Sequence, residues 1–119
     1  MEPLSRRERK ELRELAGIAW ERELAGALAT LEDQFRAWRA GQLSPFALSE
    51  AIHKYHNGAA RDLYVFYAGG HPEPCVARAI AAGLLARAEV SADLLRKLGT
   101  LVEFFETQAA EAASRAPAI

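Results

Sequence analysis

A single cysteine, Cys75, occurs in 119 residues. No disulfide can form within the chain, which excludes a small disulfide-stapled secreted scaffold. No run of about 18 apolar residues is present, so no segment reads as a membrane span. The opening, MEPLSRRERKELREL, is charged where a secretory leader would be apolar. These absences predict a cytoplasmic protein with no membrane contact. An excess of one charge is also missing: 15 Lys and Arg stand against 16 Asp and Glu, a formal net charge of −1. No global field would hold a phosphate backbone, so nucleic acid would need a local patch.

Catalytic patterns are missing too. There is no glycine-rich phosphate loop, nucleophile elbow or paired-cysteine zinc motif. No Arg precedes a His by the four to six residues used in one class of helical ribonuclease. Glu11-x-x-Glu14 and Glu103-x-x-Glu106 lack the Glu-x-x-Asp partner of the all-α nucleotide pyrophosphohydrolases. Cys75 follows Pro74 near a helix start, but no base is placed beside it, and it reads as a small buried residue. The balance leans against an enzyme and calls for no cofactor.

What is present is helix. Half of the residues are hydrophobic and 26% are charged, and Ala, Leu, Glu and Arg dominate, all strong helix formers. No segment alternates with period two for long enough to make a strand. The prediction is an all-α bundle of four main helices in one domain, residues 1–119.

The first helix is predicted over residues 3–40, with Pro3 in its first turn and Gly41 as the left-handed residue past its end. Leu24, Leu28, Leu31, Phe35 and Trp38 repeat at spacings of 4, 3, 4 and 3, a heptad seam. Upstream, Leu12, Leu15, Ala16 and Ala19 form a second stripe, about 100° round from the first. Either the helix bends near Gly17 and wraps one core, or its first half covers a different surface. The charged opening reads as a solvated face with pairs Arg7–Glu11 and Lys10–Glu14. Trp20 and Trp38 share one face and read as core or interface.

Ser44 and Pro45 cap and start a second helix over residues 45–56. Asn57-Gly58 reads as a stop or kink, because both residues tolerate positive φ. A third segment follows over residues 59–67, then a loop, then a helix from Pro74 to about residue 82, ending near Gly83 or continuing to Arg87. Ser91 caps the last helix. Its apolar face is Leu94, Leu95, Leu98, Leu101, Val102 and Phe105. The Ala-rich tail, residues 111–119, is expected to fray.

Polar chemistry concentrates in residues 50–67, EAIHKYHNGAARDLYVFY. Helical angles put Ala51, Ile52 and Tyr55 on the packing side and Glu50, His53 and His56 on a slanting polar ridge. Carboxylate and imidazole are competent ligands for zinc or iron, so Glu50, His53 and His56 are the candidate metal ligands. One such motif is half of what a di-iron bundle needs, and a second contributor would have to face it. Asp62 suits a helix start, and Arg61 would pair with Glu50 or with a carboxylate on another helix, or hold an anion. Tyr64 belongs with Tyr55, Phe66 and Tyr67 in packing or an interface. The candidate ligand or interaction site is Glu50, His53, His56, Arg61, Asp62 and Tyr64.

The run Ile52-His53-Lys54-Tyr55-His56-Asn57-Gly58, with Arg61-Asp62-Leu63-Tyr64, resembles a pattern in small bacterial all-helical proteins. Those proteins are of similar length, with a Trp-bearing first helix (here Trp20 and Trp38) and a Gly-Leu-Leu-like turn (here Gly83-Leu84-Leu85). The resemblance implies a self-standing helical domain and no activity. The leading reading is a non-enzymatic interaction module or accessory subunit of a bacterial complex, with a homodimer or another protein as partner. One alternative is a metal-dependent enzyme or sensor on the Glu50, His53 and His56 ridge. Another is a nucleic-acid-linked regulator using Arg6, Arg7, Arg9, Lys10 and Arg13.

Overall fold

A computed structural model describes residues 2–115. Every regular element among them is helical: α1 (Arg6–Arg39), α2 (Pro45–Tyr55), a π-helical turn (His56–Ala60), α3 (Arg61–Gly69), α4 (Pro72–Ala81), a 3-10 turn (Arg87–Glu89), α5 (Ala92–Lys97) and α6 (Gly99–Ser114). The all-α prediction holds. Where the sequence predicts one bundle, the chain divides into two compact units, Met1–Ala19 with Gly70–Ile119, and Trp20–Gly69. Helix α1 runs unbroken through Gly17 and contributes to both. A break at Gly17 is therefore excluded. Leu12, Leu15 and Ala19 belong to the first unit, and the seam from Leu24 to Trp38 belongs to the second.

The first unit holds nearly all of the core. Leu12, Cys75, Val76, Leu85, Leu94, Leu98 and Val102 are all within 2% of complete burial. Pro72 starts α4 two residues earlier than expected, with His71 as its N-cap residue. Gly83 ends it at φ +79°, while the Leu84 amide reaches back to the Ala79 carbonyl at 2.9 Å. That closing bond needs a left-handed residue, which glycine adopts without steric cost. The last predicted helix is interrupted at Leu98, between α5 and α6, although Val102 N–H still donates to the Leu98 carbonyl at 2.9 Å. Residues 111–114 remain helical rather than frayed, with Arg115 as the C-cap residue; the last four residues of the predicted tail, 116–119, lie outside the described residues.

The start of α1 differs from expectation, and the difference is chemical. Ser5 is the cap, and Pro3 precedes the helix rather than standing in its first turn. The Ser5 hydroxyl accepts from the Glu8 amide at 3.1 Å, and the Ser5 amide donates to Glu8 Oε1 at 2.8 Å. Ser5-Arg6-Arg7-Glu8 thus spells a capping box. Glu8 also takes the Lys97 ammonium at 2.7 Å, with both side chains about seven-eighths buried. Nor does Glu11 pair with Arg7 on a solvated face. It accepts from the Ser91 amide at 2.8 Å and from the Ser91 hydroxyl at 2.6 Å. Ser91 stands at the N-cap position of α5, but its hydroxyl is spent on Glu11 rather than on its own helix. Only Lys10–Glu14 forms as foreseen, at 4.0 Å.

The hydrogen bond from Lys97, helped by the Ser5 amide, holds the Glu8 carboxyl down to about 2 from 4.5. A depressed carboxyl stabilises the fold above its unfolded pKa and ceases to do so as pH falls through the folded one. Glu8→Gln should therefore lower the melting temperature at neutral pH. The gap to the parent should shrink as pH falls from about 4.5 to about 2. Thermal melts of both proteins across that range check it, and a gap independent of pH would refute the pairing.

Candidate interaction surface

The second unit is a helical hairpin. The second half of α1 runs out, turns at Gly41 (φ +76°) and returns through α2, the π-turn and α3. Ser44 caps α2, accepting from the Ala47 amide at 3.0 Å. At the other end of the hairpin, Trp20 stacks on Tyr67, with ring centroids 5.8 Å apart and planes 4° apart, and meets Tyr64 edge-on at 6.0 Å. The Tyr67 hydroxyl donates to Glu23 at 2.6 Å.

Asn57-Gly58 does not stop the helix. Both residues lie within the π-turn, and among the described residues only Gly41 and Gly83 have positive φ. The turn has a geometric purpose. Tyr67 lies sixteen residues after Ala51, which places it about 160° round an unbroken α-helix from Ala51, on the outer side. A π-turn absorbs one extra residue and so removes about 100°. Tyr67 then falls about 60° from Ala51 and meets Trp20. The apolar stripes of α2 and α3 are out of phase, and the π-turn brings them onto one face. Glycine and asparagine, both weak helix formers, make the irregular turn cheaper there.

Glu50, His53, His56, Arg61, Asp62 and Tyr64 are all exposed on this one continuous helical segment. The structure brings only part of the set together. His56, Arg61 and Tyr64, with Asn57, border a shallow surface concavity of about 400 Å³. His53 instead lies against the Asn57 side-chain amide, 3.1 Å from Nε2. Glu50 and Asp62 do not border the concavity. Arg61 forms no ion pair with Glu50. Asp62 faces no free helix terminus, because α3 continues directly from the π-turn and the Arg61 amide already bonds to the Gly58 carbonyl. Among the described residues no three His, Cys, Asp or Glu side chains converge closely enough to hold a metal ion. Spaced three residues apart, the ends of the Glu50–His56 ridge are separated by about 9 Å along the helix, too far for one ion.

The larger feature of the hairpin is apolar. Among described residues it contains seven of the nine exposed large hydrophobic side chains: Leu28, Phe35, Trp38, Phe46, Ile52, Tyr64 and Val65. It contributes one residue, Leu48, to the buried core. Ala27, Leu31 and Gln34 of α1 and Ala51, Tyr55 and Ala59 of the returning segment line a groove of about 320 Å³ between its helices. The heptad seam foreseen from Leu24 to Trp38 exists, but Leu28, Phe35 and Trp38 are still 46%, 37% and 38% exposed. The sequence pattern left Trp38 as core or interface and did not show that three of the five seam residues stay exposed. The signal was available: two helices alone cannot enclose a heptad seam and an aromatic stripe.

No known protein family, curated protein or solved structure matches the chain. Among the described residues no helix is long and apolar enough to cross a membrane.

Proposed function

We propose that the chain is a non-enzymatic helical interaction module, an accessory or self-associating subunit, and that its working surface is the uncovered apolar side of the hairpin. One observation carries the reading: among the described residues Trp20–Gly69 places only Leu48 in the buried core while leaving seven large apolar side chains exposed. Isolated exposed apolar residues are ordinary, but this many on one poorly cored element, with Leu28 and Phe35 one heptad apart on α1, mark a protein-contacting surface. The first unit is the contrast, because its stripes are enclosed. The metal reading loses ground on the separation of its ligands, and the anion reading on the openness of the His56, Arg61 and Tyr64 concavity. The basic residues of α1 remain exposed, but the concavity of about 820 Å³ beside Arg7 and Lys10 is also lined by Glu8, Glu11, Glu14 and Asp93, carboxylates that would repel a phosphate backbone.

Thiol labelling in extract of cells making the protein tests this. Cys75 is buried and should react slowly. A Leu28→Cys thiol should be protected from maleimide, whereas Ala29→Cys, on the outer side of α1, should label freely. Equal labelling of the two would overturn the reading.

A further inference from the structure

We infer that the Gly41 tip of the hairpin docks into the headgroup layer of an anionic lipid bilayer, with Leu43 and Phe46 entering the acyl boundary and Arg39 meeting lipid phosphates. The tip lies apart from the surface proposed above, and acidic residues stop short of it. From Gln34 to Ser49 there is no Asp or Glu, while Arg36 and Arg39 fall inside that stretch. A chain of net charge −1 thus carries a cationic end. Asp33 lies seven residues before Ala40 and Glu50 six after Ser44, so the acid-free cap is about 9–10 Å tall on both helices. An apolar helix face settles roughly 5–10 Å into the boundary between headgroups and acyl chains. Carboxylates further back are largely screened by physiological salt, whose Debye length is about 8 Å.

The apolar groups stand at matching depth. Phe46 is the second residue of α2 and is 89% exposed, the most exposed large apolar side chain among the described residues. Cα–Cβ bonds lean toward a helix's N-terminus, and for α2 that end is the tip. Leu43 sits half-buried in the turn itself. Trp38, 38% exposed in the last turn of α1, leans the other way and comes one layer behind. Its amphipathic ring suits the headgroup level. The Arg39 guanidinium lies 5.9 Å over that ring, and among the described residues no ion pair holds it. Arg36 keeps an exposed pair with Glu32 at 2.9 Å, which leaves Arg39 as the main cation.

Shape and area select a fluid partner. The groove between the helices is lined no further out than Gln34 and Ala51, and what lies beyond is a convex end. Two adjacent helices measure about 20 Å by 10 Å in section. That is roughly 200 Å², about a quarter of the ~800 Å² that a protein interface needs on each side. A bilayer conforms to a convex end and needs no complementary pocket. Binding of this kind adds apolar burial to attraction for anionic lipid, and the tip supplies both. The expectation of no membrane contact came from the lack of a span, and a docked tip needs none.

Co-sedimentation with vesicles tests this. The purified chain should pellet with vesicles of equal parts phosphatidylglycerol and phosphatidylcholine, and far less with phosphatidylcholine alone. Added salt should release it. Phe46→Ser should weaken binding about tenfold or more, and Arg39→Gln about fivefold. Both side chains are exposed, so circular dichroism of the variants should match the parent. Trp38 fluorescence, read in Trp20→Phe, should shift to the blue on binding. Leu28→Glu alters the hairpin about 18 Å back from Ala40 and should bind like the parent. A chain that stays in the supernatant with anionic vesicles overturns the inference. So does binding that Phe46→Ser and Arg39→Gln leave intact, equal binding to phosphatidylcholine alone, or binding lost only in Leu28→Glu. Thiol protection at Leu28 is read without vesicles, so the interaction reading stands or fails separately.

Discussion

Leu98→Ala should destabilise the protein by about 2–5 kcal/mol, the cost of removing a buried leucine from a core that only partly relaxes. Leu98 is completely buried in the unit that holds most of the core. It sits at the junction of α5 and α6 with φ −83° and ψ −4°, a conformation that alanine adopts freely. Backbone strain therefore adds nothing, and helix propensity changes by only a few tenths of a kcal/mol. The loss is one of packing. In a chain of this size it should lower the melting temperature by roughly 10–20 °C. A shift of a few degrees would mean that the unit is loosely packed.

Trp20→Ala should cost less, about 2 kcal/mol, because Trp20 is only half-buried, and its effect should be local. The ring stacks on Tyr67 and meets Tyr64 edge-on, joining α1 to α3 at the end of the hairpin away from its Gly41 turn. Without it, α3 keeps few attachments. Amide exchange should accelerate through α3 and the π-turn, while α4 and α6 keep their protection. Equal acceleration in both regions would contradict the division into two units. Loss of protection confined to α1 would contradict the aromatic clamp.

The helices were legible because their signals are local. Gly41 and Gly83 mark ends through backbone preference, Ser44-Pro45 marks a start through a side-chain cap and a fixed φ, and the structure uses all three. Two local signals were misread. Ser5-Arg6-Arg7-Glu8 is a capping box in plain sequence, yet Pro3 competed with it as a start signal. Asn57-Gly58 has the composition of a stop, and only the phase mismatch between Ala51-Tyr55 and Leu63-Tyr67 shows that a π-turn serves better. The ion pair Glu8–Lys97 and the Glu11–Ser91 bonds join residues more than 75 positions apart, and no periodicity encodes them. The six-residue candidate site was legible only in part, and His56, Arg61 and Tyr64 alone border one concavity. Spacing located its residues on one helix, but convergence depends on what faces that helix.

The account stands or falls on whether the apolar side of the hairpin is covered in solution. The most direct measurement compares maleimide labelling rates of Leu28→Cys and Ala29→Cys, neighbours in sequence about 100° apart on α1. Leu28 is 46% exposed in the isolated chain, and Ala29 is exposed too. The account predicts that in extract of cells making the protein the first thiol labels many-fold more slowly than the second. Equal rates in extract would contradict it.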